Sequence, residues 1–167
     1  NTIIAMFSIY FIIQIALPLR HYFINESVLW TEEGHRLSWR MMLRAKNGSA
    51  LYRVVNNRNK KTTQIKLSDY LSNKQMHLAT TKPDVIWQFS QRLKQIYAEK
   101  GEDVSVYVNC HISINGKPYK QLISPDVDLT AVSWDWIKHN DWILPSKKQK
   151  MSLDKSSVTE QEIKPKK

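Results

Sequence analysis

The chain is poor in the residues that build small-site chemistry. It has one cysteine, Cys110, and four glycines in 167 residues. One thiol can make neither a disulfide framework nor a paired-cysteine metal site. Cys110 is read instead as a small buried hydrophobe on a strand. The five histidines, His21, His35, His77, His111 and His139, form no HExxH, HxH or His-Cys cluster. A metal site is therefore not expected. No nucleophile elbow, P-loop or dinucleotide fingerprint is present. Zinc-finger, RNA-binding-sheet and helix-turn-helix signatures are also missing, so nucleic acid is not expected as a partner. No internal repeat occurs. Acidic residues are the scarcer charge, 15 against 25 Lys and Arg, giving a formal net charge of +10. A surplus of that sign suits anionic lipid or an acidic peptide. The first residue is Asn1 rather than Met, and the chain is expected to be the tail of a longer protein.

What the chain does have is one long apolar run. Thr2 to Leu19 carries no charge, and only Thr2, Ser8 and Gln14 are polar. As a helix it would span about 27 Å, close to a bilayer core of about 30 Å. A buried or interfacial helix is the alternative, although no polar stripe marks a solvent face. A signal peptide fits less well, lacking a basic start and a small-x-small cleavage site. Tyr10, Tyr22 and Trp30 suit an aromatic belt, and Arg20 and His21 hint weakly at a cytoplasmic side.

Beyond that run the pattern is α+β: antiparallel hairpins with packed helices, preceded by one transmembrane helix. Lys46-Asn47-Gly48-Ser49, between Ser38–Ala45 and Ala50–Val55, reads as a hairpin turn. Thr62–Leu67 is a third strand, reached through the polar turn Asn56–Lys61. Ser72 and Gln75 have capping-box spacing and open a short helix over Asn73–Leu78. Lys82-Pro83-Asp84 opens a longer helix with Val85, Ile86, Phe89, Leu93, Ile96 and Tyr97 at helical spacing, ended by Gly101. Val104–Ile114 alternates strictly, which predicts a long strand with one buried face. Asn115-Gly116 turns it into a return strand over Tyr119–Ile123, with Pro118 suggesting an edge or bulge. Leu129–Leu144 holds Trp134, Trp136 and Trp142 and is expected to wrap over the domain or onto the membrane part. Three segments result: a last transmembrane helix over 1–19, an α+β domain over 20–145, and a disordered basic tail over 146–167.

The stretch Trp30 to Lys46, WTEEGHRLSWRMMLRAK, gathers aromatic rings, hydroxyls and guanidinium groups. Such a set can grip a carboxylate, and equally can anchor a chain at a bilayer interface. Glu32 and Glu33 adjoin there, but without a pocket they are not an acid–base pair.

These residues also carry a resemblance. LPLRHYF, WTEEGHRLSWRMMLR, SINGKPYKQLISPDVDL and AVSWDWIKHNDWILP occur in order from about residue 15 to Pro145. They resemble the end of vitamin K-dependent γ-glutamyl carboxylases and their bacterial relatives, the horizontally transferred transmembrane (HTTM) family. The resemblance implies an exoplasmic, lumenal-type domain; for a bacterial-type homologue it implies the periplasmic side of the inner membrane. It implies a parent carbon–carbon lyase. Vitamin K hydroquinone, or a related quinol, would react with oxygen to give a strong base. Carbon dioxide would then add to a peptide glutamate. No lysine here matches the family's catalytic motif, so this part alone is expected to bind no cofactor and to lack catalytic residues. Its implied partners are the membrane, the missing N-terminal membrane helices and a glutamate-containing peptide. The positions matching the family's substrate-contact segment are Trp30, Thr31, His35, Ser38 and Trp39; Met41 and Met42 match too but read as packing. His35 stands where the animal enzymes resemble a tyrosine, and Arg44 where they have a histidine. The alternative is a non-catalytic, membrane-anchored peptide- or lipid-binding domain of a divergent HTTM protein.

Overall fold

The structure is a computed structural model that describes residues 2–19, 22, 27–35, 45–136 and 138–146. The sequence readings for Arg20, His21, Ser38, Trp39, Met41, Met42, Arg44 and nearly all of the basic tail lie outside those residues.

Helix α1 spans Thr2–Leu19. Its apolar side chains are exposed along its length, and only Pro18 is buried. It is therefore not a core helix of the domain, and it is long and apolar enough to cross a membrane. A short helix α2, Val28–Thr31, follows.

The domain is an antiparallel sheet of four strands with helices on one face. The strands are β1 (Lys46–Asn56), β2 (Thr62–Ile65), β3 (Val104–Ile114) and β4 (Lys120–Gln121), in the order β2-β1-β3-β4. Between β2 and β3 lie α3 (Asn73–Ala79) and α4 (Pro83–Ala98). The fold is α+β, as the alternation of strand and helix patterns predicts.

β1 and β3 pair along their full lengths, Lys46 opposite Ile114 through Asn56 opposite Val104. The strict alternation of β3 works as read: Val104, Val106, Val108, Cys110 and Ile112 face the core. Tyr52, Val54 and Ile65 join them, and Ile86, Phe89 and Leu93 of α4 close over the layer. Tyr52 is fully buried; its hydroxyl donates to Ala79 O at 2.6 Å and its ring meets Phe89 edge-on at 5.1 Å. Burial pushes the Tyr52 phenol well above its ordinary pKa. It pushes the Cys110 thiol up to about 12, so this cysteine is an unreactive core residue.

Local chemistry places the helix ends. Gln75 Oε1 accepts from the Ser72 backbone N–H at 2.9 Å and from its hydroxyl at 3.0 Å. Pro83 occupies the first turn of α4. Gly101, at φ 75°, closes α4 with a Schellman pair, Glu102 N to Tyr97 O and Gly101 N to Ala98 O. Asn115 and Gly116 take φ 52° and 73°, the left-handed pair that a tight hairpin turn requires.

Asn47-Gly48 is not a turn. β1 runs straight through it. A Cβ on Gly48 would lie 2.2 Å from Thr80 O and 2.9 Å from Ile112 Cγ2. The glycine is there because the chain leaving α3 passes directly over β1, and no side chain fits beneath it. The return strand is also shorter than expected: β4 holds only two residues, at the sheet edge, after Pro118. Beyond it the chain still follows the β3 edge. Leu122 N donates to Cys110 O, and Leu129 N to Val106 O. Asp128 Oδ1 accepts from Val106 N at 3.0 Å, Thr130 N at 2.9 Å and the Thr130 hydroxyl at 2.7 Å. This loop covers an edge that would otherwise invite pairing with another chain. The tryptophan segment wraps onto the domain: Ile123 bridges Ile143, and Trp87 Nε1 donates to Val132 O.

Gly48→Ala should lower stability by about 1–3 kcal/mol, an overpacking penalty. Asn47→Ala, on the exposed face, should stay within about 0.5 kcal/mol of the parent. Urea midpoints of the two variants check this. Asp128 gives a pH prediction. Burial alone would raise its pKa, but hydrogen bonds from Thr130, Ser105 and Val106 outweigh that and hold it below the ordinary 3.8. Its stabilising contribution is complete above the unfolded value and is lost as pH falls through the lower folded value. Asp128→Asn should therefore flatten the loss of stability below about pH 4, read from urea midpoints across the acid range.

Candidate functional site

The segment WTEEGH folds into a tight, strained turn held by two buried carboxylates. α2 ends at Thr31, and Glu32 takes φ 61°, followed by Gly34 at φ 67°. A left-handed conformation costs a non-glycine residue about 1–2 kcal/mol and persists only where its surroundings enforce it. Both acids supply that enforcement, in opposite directions.

Glu32 meets Lys46 Nζ at 3.1 Å, with both side chains no more than 7% exposed, and Lys82 Nζ at 3.7 Å. Lys46 also donates to Trp30 O at 3.0 Å. Lys46 opens β1 on its core-facing side, so its ammonium reaches under the turn instead of into solvent.

Glu33 is 2% exposed and points the other way. Its Oε1 accepts from the Asn140 backbone N–H at 2.7 Å and from Asn140 Nδ2 at 2.8 Å. Its Oε2 lies 2.6 Å from His139 Nδ1. Asn140 in turn organises its own loop, with Oδ1 accepting from Asp135 N at 2.9 Å. The turn after α1 is thus fastened to the end of the domain.

Of the five residues singled out in the sequence, Trp30, Thr31 and His35 lie in this turn. Trp30 is buried in the core, and its indole Nε1 donates to Leu144 O at 2.6 Å. It is therefore not a bilayer-interface anchor. Thr31 is fully buried; its hydroxyl donates to Ser27 O at 3.4 Å and accepts from Glu33 N at 3.3 Å. Trp30 and Thr31 build the turn. His35 is half-buried at its exit, its backbone N–H bonded to Glu32 O at 3.1 Å. Ser38 and Trp39 lie outside the described residues. The sequence reading missed Lys46, His139 and Asn140, whose partners lie 14 to 107 positions away. For Lys46, the alternation Lys46, Gly48, Ala50, Tyr52, Val54 was a usable signal; for His139 and Asn140 there was none.

A second feature is the open face of the sheet. A cleft of about 450 Å³ lies there, lined by Leu51, Arg53, Gln64, Tyr107, Asn109 and Asp126 among others. Arg53 stacks over the Tyr107 ring at 5.3 Å. A guanidinium fixed on an aromatic ring and ringed by amides can hold a carboxylate or a peptide backbone.

An α+β sheet domain joined to an apolar helix, with this buried turn at the junction, defines the class; the particular family follows from comparison. A family model for the vitamin K-dependent gamma-carboxylase lumenal domain matches residues 1–149. The chain belongs to that family. No curated protein and no solved structure matches it significantly. The lumenal-domain description and the apolar α1 point together to a membrane-anchored protein.

Lys46→Met should destabilise the domain by about 3–5 kcal/mol, because it removes the shorter of the two lysine contacts of the buried Glu32. A double variant that also carries Glu32→Gln should recover part of the loss. Urea unfolding of the single and double variants reads this coupling.

Proposed function

We propose that this chain is the peptide-receiving domain of a γ-glutamyl carboxylase-type membrane protein. The observation that carries the reading is the family match along 1–149, which spans α1, the strained turn and the whole sheet domain. The open cleft supports a peptide-holding role, since Arg53, fixed on Tyr107, can pair with a peptide carboxylate while Gln64 and Asn109 can meet an extended backbone. The turn Trp30–His35, rigidly fastened at both acids, delivers the chain into the 36–44 stretch where Ser38 and Trp39 would contact the glutamate.

In this reading carbon dioxide replaces a γ-hydrogen of the bound glutamate, and further membrane helices of the parent provide the quinol and oxygen chemistry. The described cleft is open to solvent and carries both Arg53 and Asp126, so it does not fit a lipophilic quinone, and no step through a quinone is assigned to residues of this chain. We place the domain on the exoplasmic side, periplasmic if the parent is bacterial. Lipid docking is a second reading, supported by Trp136, which is 58% exposed and meets Trp134 edge-on at 6.1 Å. It predicts vesicle binding that weakens steeply with salt and shows no peptide preference.

The parent in membranes, given reduced quinone, should incorporate labelled carbon dioxide into glutamate peptides. Trp39→Ala should lower that incorporation by about tenfold or more while leaving peptide-free quinone epoxidation largely intact. Absence of incorporation by a folded, quinone-binding parent would refute the carboxylase reading.

A further inference from the structure

The two edges of the sheet are treated differently by the chain. Beyond the short β4, the β3 edge is covered: Leu122 N donates to Cys110 O and Leu129 N to Val106 O. At the other edge, no strand pairs with the outer side of β2 among the described residues. Asn56 N donates to Lys61 O at 2.9 Å, and the register then sets Val54 opposite Thr63 and Arg53 opposite Gln64. Bonded and non-bonded pairs alternate along an antiparallel ladder. Thr63 and Ile65 therefore bond to β1, while Thr62 and Gln64 turn their backbone N–H and C=O groups outward. Thr62, Thr63 and Gln64 are exposed, and neither proline nor charge interrupts the strand. We propose that this edge takes up an acidic, extended peptide as an added strand of the sheet. The inference rests on the peptide-receiving reading above and specifies how the peptide is held.

Two observations select this occupant. The first is charge. From Arg53 to Ser68 the chain carries Arg53, Arg58, Lys60, Lys61 and Lys66, and no carboxylate. All of these cations are exposed, and none is ion-paired among the described residues. Glu102 and Asp103, which reach this end of the sheet, bond to Asn56 and Asn57 instead. Two such edges repel each other, so a second copy of this chain fits poorly and a glutamate-rich strand fits well.

The second observation is position. The side chains of Thr62 and Gln64 line the open-face cleft together with Arg53. A strand added at β2 lays every second side chain along that same face. Its main chain bonds to Thr62 and Gln64 whatever residues it carries, and the cations around β2 favour acidic ones. Affinity thus comes from the backbone and selectivity from charge.

The test reads binding rather than carboxylation. A fluorescent synthetic peptide of alternating Glu and Val is titrated into the full-length parent in detergent, with anisotropy as the readout. Only every second N–H of an added strand faces β2. N-methylation of one alternate set of peptide amides should therefore abolish binding, while methylation of the other set should leave it. Lys60→Glu, Lys61→Glu and Lys66→Glu combined should weaken the peptide about tenfold. Gln64→Pro, which removes an outward N–H and no ladder bond, should weaken it by up to about tenfold. Equal affinity for the two methylated peptides, unchanged affinity in the triple lysine variant, or no binding to the wild-type parent would overturn strand addition. If that parent still incorporates carbon dioxide, the carboxylase reading stands without it. Binding with the alternating methylation pattern by a parent that incorporates none would keep the edge site and overturn the carboxylase reading.

Discussion

The buried ion pair between Glu32 and Lys46 is the contact on which the rest of the arrangement depends. Each charge is almost fully removed from water, which is unfavourable unless the partner is present and the remaining polar sites are met. Lys46 meets them by bonding Trp30 O as well. That places the indole of Trp30 against Leu144 O and brings the last segment of the domain alongside the turn. Glu33, the next residue, can then reach Asn140 and His139. Removing the Lys46 charge would therefore loosen contacts between segments more than a hundred positions apart in sequence.

The sheet supplies the rigid frame for this junction. β3 is an unbroken eleven-residue strand whose buried face is built of valine, cysteine and isoleucine, side chains that pack well on a pleated surface. β1 matches it in length and register, so Lys46 at one end belongs to the same ladder as Tyr52 in the middle. The opposite face remains open because α3 and α4 pack on one side only, and there Arg53 and Tyr107 form the polar cleft. One face thus stabilises the domain and holds the turn, while the other stays accessible to a partner.

Much of the fold was legible in the sequence because the deciding forces were local. The alternation of Val104–Ile114, the capping box at Ser72 and Gln75, Pro83 at the start of α4 and Gly101 at its end each act over a few residues. Asn115-Gly116 turned the chain as expected, whereas Asn47-Gly48 did not. Both dipeptides can adopt a tight turn, but a turn at Gly48 would break an eleven-residue ladder with β3. The glycine is required by a non-local contact, the passage of Thr80 overhead, which no local pattern encodes. Trp30 and Thr31 were marked through the family resemblance as substrate contacts; in the fold their polar groups bond within the protein, at Leu144 and at Ser27 and Glu33, over distances the sequence does not show.

The two adjacent acids illustrate why the site was harder to read than the fold. In sequence, Glu32-Glu33 is a pair of like charges with nothing to separate their roles. In the structure a left-handed residue sends them apart, one to a lysine on β1 and one to an imidazole near the end of the domain. Lysine is a strongly hydrated point charge that neutralises Glu32 and fixes the turn. The imidazole of His139 and the backbone and amide nitrogens of Asn140 instead hold Glu33 at the closing segment of the domain. The same strained turn therefore fastens two separate parts of the domain, β1 through Glu32 and the closing segment through Glu33. The division follows from what each acid faces rather than from the acids themselves.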